Sequence, residues 1–244
     1  MSGIMSKRLL IIGSNSIHTY NFIQLIEDYF EDILLITNTK NEKYHIKSTE
    51  VNFKLGFNVL SSARKINSIV KAYNPSIIHI LQANTYAFIP LLATWKLNIP
   101  KVITALGSDI LINPKKNIIL KKMLEFSLNN IDVATSDSLY MANEMKMYSS
   151  DLDIRIANFG ISHKDYIEKK ENIIYSNRLH TGLYNIEKCI YAFNRFTNRY
   201  TNWKLIIGGA GDNTDRLKQL VRHLNLVDKV EFIGWVNTDI NLKM

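Results

Sequence analysis

Two turns in this sequence place small residues directly after an apolar run. One is Gly208-Gly209-Ala210-Gly211 behind WKLII; the other is Gly13-Ser14-Asn15-Ser16 behind RLLII. Glycine at such a turn lets backbone N–H groups approach a phosphate, and a helix beginning there adds partial positive charge. Tight strand-to-helix turns also use glycine for structural reasons alone, so Gly13, Gly209 and Gly211 keep both readings. Arg178, at the end of NIIYSN, brings a guanidinium suited to bidentate contact with phosphate oxygens; the alternative is a solvated arginine. His18 reads equally as helix-start structure or as a substrate contact. Asp109, behind Gly107 and Ser108, either caps a turn or hydrogen-bonds a polar ligand. Ser136 or Ser138 caps the helix that follows IDVAT. The candidate phosphate contacts are therefore Arg178, Gly13, Gly209 and Gly211. The candidate cleft contacts are His18, Ser108, Asp109 and Ser136.

Those turns need strands and helices to hold them. Apolar runs predict strands at 8–12, 33–37, 50–60, 76–81, 101–106, 131–135 and 153–158. Helical spacing predicts helices over 18–30, 62–73, 85–97 and 115–130, and from Ser138 onward, with Pro90 marking a kink or a late start. The polar stretch 162–171 reads as a linker. Beyond it NIIYSN, WKLII and KVEFIG are strands, separated by two helices. Strands apolar on both faces that alternate with helices belong to a parallel sheet covered on each side. Ligands then bind beyond the carboxyl ends of the strands, so all the turns above line one edge of their own sheet.

Composition removes several function classes. The chain has 244 residues, 46% hydrophobic and 21% charged, an ordinary globular balance. Its net charge of +8 is spread over both halves, and no nucleic-acid-binding motif accompanies it. Lys115, Lys116, Lys121 and Lys122 form either a solvated helix face or a contact with anionic lipid. Six histidines include no pair at i, i+4 spacing and no carboxylate cluster, so no metal site is expected; His79, inside a strand, reads as a hydrogen-bonded core histidine. Cys189 is the only cysteine. The apolar run at the start is too short for a signal-peptide core, and the apolar stretch 77–99 is interrupted by His79, Gln82, Asn84, Pro90 and Lys96. A nicotinamide enzyme needs three spaced glycines after the first strand and an acid after the second; here one glycine stands, and ILLIT ends in Asn38.

The stretches IIHIL, KVITALGSDIL, IDVATSDSLYMANEM, NFGIS, SNRLHTGLYNIEKCIYAF and WKLIIGGAGDNTDRLKQLVRHLNLVDKVEFIGWV together resemble family 4 glycosyltransferases of the GT-B fold. The resemblance implies an α/β fold with a complete N-terminal, acceptor-side Rossmann-like domain over 1–165. An incomplete second, nucleotide-sugar-binding domain follows over 166–244. It implies transfer with retention of configuration, no cofactor and no bound metal. Arg178 matches the arginine that grips the donor diphosphate, Gly13 the first-turn glycine against that phosphate, and Gly209 and Gly211 the donor-domain loop. Leu106 and Leu183 stand where many relatives have a histidine and a lysine. The sequence ends before the family's donor-binding Glu-x7-Glu motif. The expectation is a truncated enzyme of surface-polysaccharide biosynthesis; the alternatives are a non-catalytic acceptor-binding remnant, or one part of a split enzyme completed by a second chain. Expected partners are a nucleotide sugar and a glycan or lipid-linked acceptor, with no nucleic acid. The expected place is the cytoplasm, with peripheral contact at the inner face of the membrane.

Overall fold

The computed structural model describes residues 7–42, 45–158 and 171–236. Two compact units divide between Ile161 and Ser162. That boundary, the expected one after residue 165 and most of the predicted linker lie outside the described residues.

In the first unit β1 (Arg8–Ile12) leads into α1 (Ile17–Ile26), then β2 (Asp32–Thr37) and the short β3 (Ser48–Glu50). There follow α2 (Val59–Tyr73), β4 (Ile77–Leu81), α3 (Thr85–Thr94), β5 (Lys101–Thr104), α4 (Ser108–Leu111) and α5 (Asn113–Lys116). The unit closes with α6 (Ile118–Leu128), β6 (Val133–Ser136), α7 (Leu139–Lys146) and β7 (Asp153–Ile156). The seven strands form one parallel sheet in the order β3-β2-β1-β4-β5-β6-β7. The order reverses between β1 and β4, and a right-handed crossover on either side of that reversal puts its helix on the opposite face. Side-chain alternation on β1 follows suit. Leu9 and Ile11 join Tyr20 and Ile23 of α1, while Leu10 and Ile12 join Ile66 and Val70 of α2 and Ala87 of α3.

Local signals set the helix ends. Asn74 stops α2 in the left-handed region at φ 49°, and Pro75 forbids a restart. Asn84, Asn117 and Ser138 cap α3, α6 and α7 with side-chain oxygens on Tyr86, Leu120 and Met141 N–H. Of the two candidate caps after IDVAT, Ser138 is the one used.

Three predicted elements change. The strand expected over 50–60 ends at Glu50, because Asn52 Oδ1 accepts from Lys54 N–H (2.9 Å) and turns the chain. The helix expected over 115–130 is two, split where Asn117 leaves helical geometry to cap α6. Helix α3 begins five residues ahead of Pro90, so the proline marks no late start.

The second unit holds β8 (Ile173–Asn177), α8 (Ile186–Thr197), β9 (Lys204–Gly208), α9 (Thr214–His223) and β10 (Val230–Gly234). Its described strands form a parallel sheet in the order β10-β9-β8. Ile186 and Ile190 of α8 and Leu217 and Val221 of α9 sit at helical spacing and close on Leu205 and Ile207 of β9.

Candidate functional site

The reversal between β1 and β4 is where an open α/β sheet leaves a crevice. Gly13 is buried there: a Cβ would lie 2.9 Å from Thr19 Oγ1 and 3.4 Å from Leu81 Cβ, and its N–H already donates to Ile36 O. The glycine lets α1 seat on the sheet. Beside it Asn38 Oδ1 accepts from Asn15 N–H and from the Tyr86 hydroxyl, both at 2.8 Å. Asn15 Oδ1 in turn accepts from the Tyr20 hydroxyl and from Asn41 Nδ2, both at 3.1 Å. A neutral amide network thus occupies the strand end where a nicotinamide enzyme needs its acid. Gln82, the residue after β4, has φ 79°, uncommon for a residue with a side chain.

The four predicted cleft residues lie along the same edge, as a parallel sheet requires, but in different states. His18 and Ser108 are exposed at the starts of α1 and α4. Asp109 is 3% exposed and takes the structural one of its two readings. Its carboxylate accepts from Ala83 N–H (2.7 Å) and Leu106 N–H (3.1 Å), tying the β4 loop to the β5 loop. Burial raises its pKa, and those N–H groups pull it back. Ser136 is 1% exposed and its hydroxyl donates to Ser138 O at 2.8 Å. Both side chains are engaged within the protein in this conformation. His79 is the core histidine expected: its Nε2 lies 2.7 Å from Thr104 Oγ1, which lies 2.7 Å from Thr135 Oγ1, a relay across three strands.

A cavity of about 920 Å³ opens where β2 and β3 end and α3 begins. Asn38, Glu50, Phe53, Lys54, Lys65 and Tyr86 are among its lining. Phe53 and Tyr86 stack with ring centroids 4.3 Å apart. Glu50 Oε1 accepts from Lys40 N–H at 2.8 Å. Sequence reasoning missed this place because 50–60 was read as strand. The available signal was the asparagine that follows each of β1, β2 and β4, namely Asn15, Asn38 and Asn84.

In the second unit Arg178 is exposed just past β8, its guanidinium 5.9 Å from the Tyr184 ring centroid and without an ion pair among the described residues. The turn after β9 packs directly on it. A Cβ on Gly209, at φ 104°, would lie 2.2 Å from Arg178 O; one on Gly211 would lie 2.7 Å from His180 O. Gly209 N–H donates to Gly234 O (2.6 Å) and Gly211 N–H to Thr214 Oγ1 (3.1 Å). These amides are engaged within the protein. The glycines serve the close approach of the two loops, and the N–H groups expected to face a phosphate are already bonded. His180, which sequence reasoning did not single out, locks that approach. Its N–H donates to Ala210 O, its carbonyl accepts from Asn213 N–H, and Nδ1 meets Thr214 Oγ1 at 2.9 Å. The side chain is buried, and burial lowers its pKa.

The predicted lysine group is partly neutralised: Lys115 pairs with Glu144 (2.8 Å), and Lys122 and Lys121 reach Glu125 (2.7 and 3.9 Å). Among the described residues no group of three or more His, Cys, Asp or Glu side chains could hold a metal ion, and no helix is long and apolar enough to cross a membrane.

Known proteins share this arrangement. The apo lipopolysaccharide outer core galactosyltransferase WaaB is 13% identical, covers 96% of this chain with 70% of its own length, and superposes with a TM-score of 0.68. The Neisseria meningitidis UDP-GlcNAc 2-epimerase bound to UDP-GlcNAc is 12% identical over 97% of this chain and 74% of its own, with a TM-score of 0.65. S. aureus MnaA with UDP is 13% identical over 97% and 71%, with a TM-score of 0.61. Identities this low establish the fold, which is GT-B-like. No curated protein matches the chain in sequence. Residues 161–243 match the family described as glycosyl transferases group 1, and residues 7–138 match the glycosyl transferase 4-like family. With more than half of its length covered by that second match, the chain belongs to the glycosyl transferase 4-like family.

Proposed function

We propose that this protein moves a sugar from a nucleoside-diphosphate sugar to a glycan or lipid-linked acceptor in the assembly of a surface polysaccharide, with the anomeric configuration retained and no bound metal. The observation that carries the reading is the pairing of two glycosyltransferase family matches, in order, with an exposed arginine just past the second unit's first strand that makes no ion pair among the described residues. A fold shared with epimerases would not select transfer; the family matches do.

In this reading the second unit holds the donor. Arg178 is set by backbone packing against Gly209, so its guanidinium starts from a fixed Cα and can clamp the diphosphate. Catalysis is electrostatic: positive charge stabilises the departing nucleoside diphosphate while the sugar passes through a cation-like state. Gly209, Gly211 and His180 shape the loop beside Arg178, and Gly13 shapes the first turn of the first unit. His18 and Ser108, exposed on the first unit, contact the acceptor. Peripheral attachment to the cytoplasmic face of a membrane, through Lys116 and the exposed Ile118 and Ile119 beside it, belongs to the same proposal.

Arg178→Ala is the test. Donor hydrolysis and transfer should fall by about 10²–10³-fold, the scale of losing one preorganised charge contact. Equal rates in the two proteins would remove Arg178 from the role. The chain spans 70% of the WaaB chain.

A further inference from the structure

The cavity at the ends of β2 and β3 carries a particular combination of surfaces. Lys54 and Lys65 both line it, and neither makes an ion pair among the described residues. The one carboxylate in the lining, Glu50, already accepts from the Lys40 backbone. The cavity is therefore net positive, and its free charges call for an anion. Its wall is rigid and neutral: the stacked Phe53–Tyr86 pair, with the Tyr86 hydroxyl fixed on Asn38.

The rim is apolar. Leu55 lines the cavity and is 47% exposed, and Phe57 is 108% exposed, as bare as a free side chain. Gly56 between them holds the turn open at φ 138°, with no atom within 4 Å of where a Cβ would stand. Lys54, Leu55 and Phe57 thus set a cation within four residues of two uncovered apolar groups, of which Leu55 lines the cavity. A neutral oligosaccharide can pack on an apolar face and accept hydrogen bonds from lysine, but it leaves the positive charge uncompensated. A molecule with an anionic head and an apolar chain uses both.

We infer that this cavity receives the phosphate-bearing head of an amphiphilic acceptor, with its hydrocarbon chain lying along Leu55 and Phe57. A volume of about 920 Å³ suits a phosphorylated sugar head. The inference narrows the acceptor of the proposed function to a lipid-linked phosphate or diphosphate. It rests on that reading for the word acceptor, while the binding itself does not depend on it.

The experiment is calorimetric titration of the full chain, without donor, using farnesyl phosphate, farnesol and inorganic phosphate. Farnesyl phosphate should bind at least about tenfold more tightly than either of the others, the worth of adding one favourable contact class. The Lys54→Glu/Lys65→Glu protein should lose about tenfold or more for farnesyl phosphate, while Lys71→Glu, a charge change on α2 outside the lining, should leave it unchanged. Leu55→Ser/Phe57→Ser should weaken farnesyl phosphate several-fold and leave inorganic phosphate alone. Thermal unfolding within a few degrees of the parent certifies that each variant folds. Equal affinity for farnesol and farnesyl phosphate, or for farnesyl phosphate and free phosphate, would overturn the assignment. So would an equal loss in Lys71→Glu. The two readings part cleanly. Farnesyl phosphate bound as expected with no sugar transfer from any donor removes the enzyme reading alone. Transfer to a neutral oligosaccharide without farnesyl phosphate binding removes the cavity assignment alone.

Discussion

At the scale of single residues, the glycines near the ends of β1 and β9 show how one residue type carries two messages. Gly13, Gly209 and Gly211 drew attention as phosphate cradles, and their positions at strand ends were readable from the apolar runs before them. What could not be read was where the N–H groups of Gly13 and Gly209 point, because Ile36 and Gly234 come from distant stretches of chain, whereas the Gly211 N–H turns to Thr214 only three residues on. Asp109 has the same history: a short sequence cannot reveal that Ala83 N–H, 26 residues away, will claim its carboxylate. The packing role makes a sharp prediction. Gly209→Ala must force a side chain into the left-handed region and against Arg178 O, at a cost of more than about 3 kcal/mol. Gly182→Ala meets nothing within 4 Å and should be near neutral. Chemical denaturation of the two variants measures the contrast, and a Gly209→Ala protein as stable as the parent would refute the account.

At the scale of elements, periodicity located nearly every strand and helix, since the buried faces of β1, β2 and β4 leave little choice of partner. It failed where burial imitated a strand. Val51 and Phe53 are buried at alternate positions, as in a strand, yet the Asn52 side chain bends the chain between them and ends the ladder at Glu50. It failed again at Asn117, a capping residue inside a run of good helix formers. The sheet itself carries a pH-sensitive tie. Burial pushes the His79 pKa down to about 4 while the unfolded chain keeps the ordinary value of 6.5. Above 6.5 both states are neutral. Between 6.5 and 4 the unfolded chain binds a proton that the folded one refuses, so stability falls as the pH falls through that window, by about 3 kcal/mol in all. Denaturation curves of the parent and of His79→Gln at a series of pH values should show the acid-side slope shrinking in the variant. Parallel curves would mean the histidine is not the source.

At the scale of the whole chain, alternation of strand and helix announced two α/β units, and the order of strands in each follows from right-handed crossovers. The interior of the cavity was beyond reach, because it is made by loops from three strand ends and by a turn misread as a strand. The two units differ in their means of staying folded. The first has seven strands with a core on each face, and the second has three described strands and a smaller cluster around Leu205 and Ile207. Small domains bury a lesser share of their surface. Calorimetry should therefore resolve two transitions, with the lower one abolished or shifted by Gly209→Ala and untouched by His79→Gln. A single transition moved equally by both would contradict independent cores. Every residue around the stacked Phe53 and Tyr86 belongs to one contiguous stretch, 38–86, of the first unit. Under the proposed function, recombination between genes at the segment joining the units would exchange the proposed acceptor site without touching the proposed donor arginine, so a change of acceptor would need no slow remodelling of a pocket.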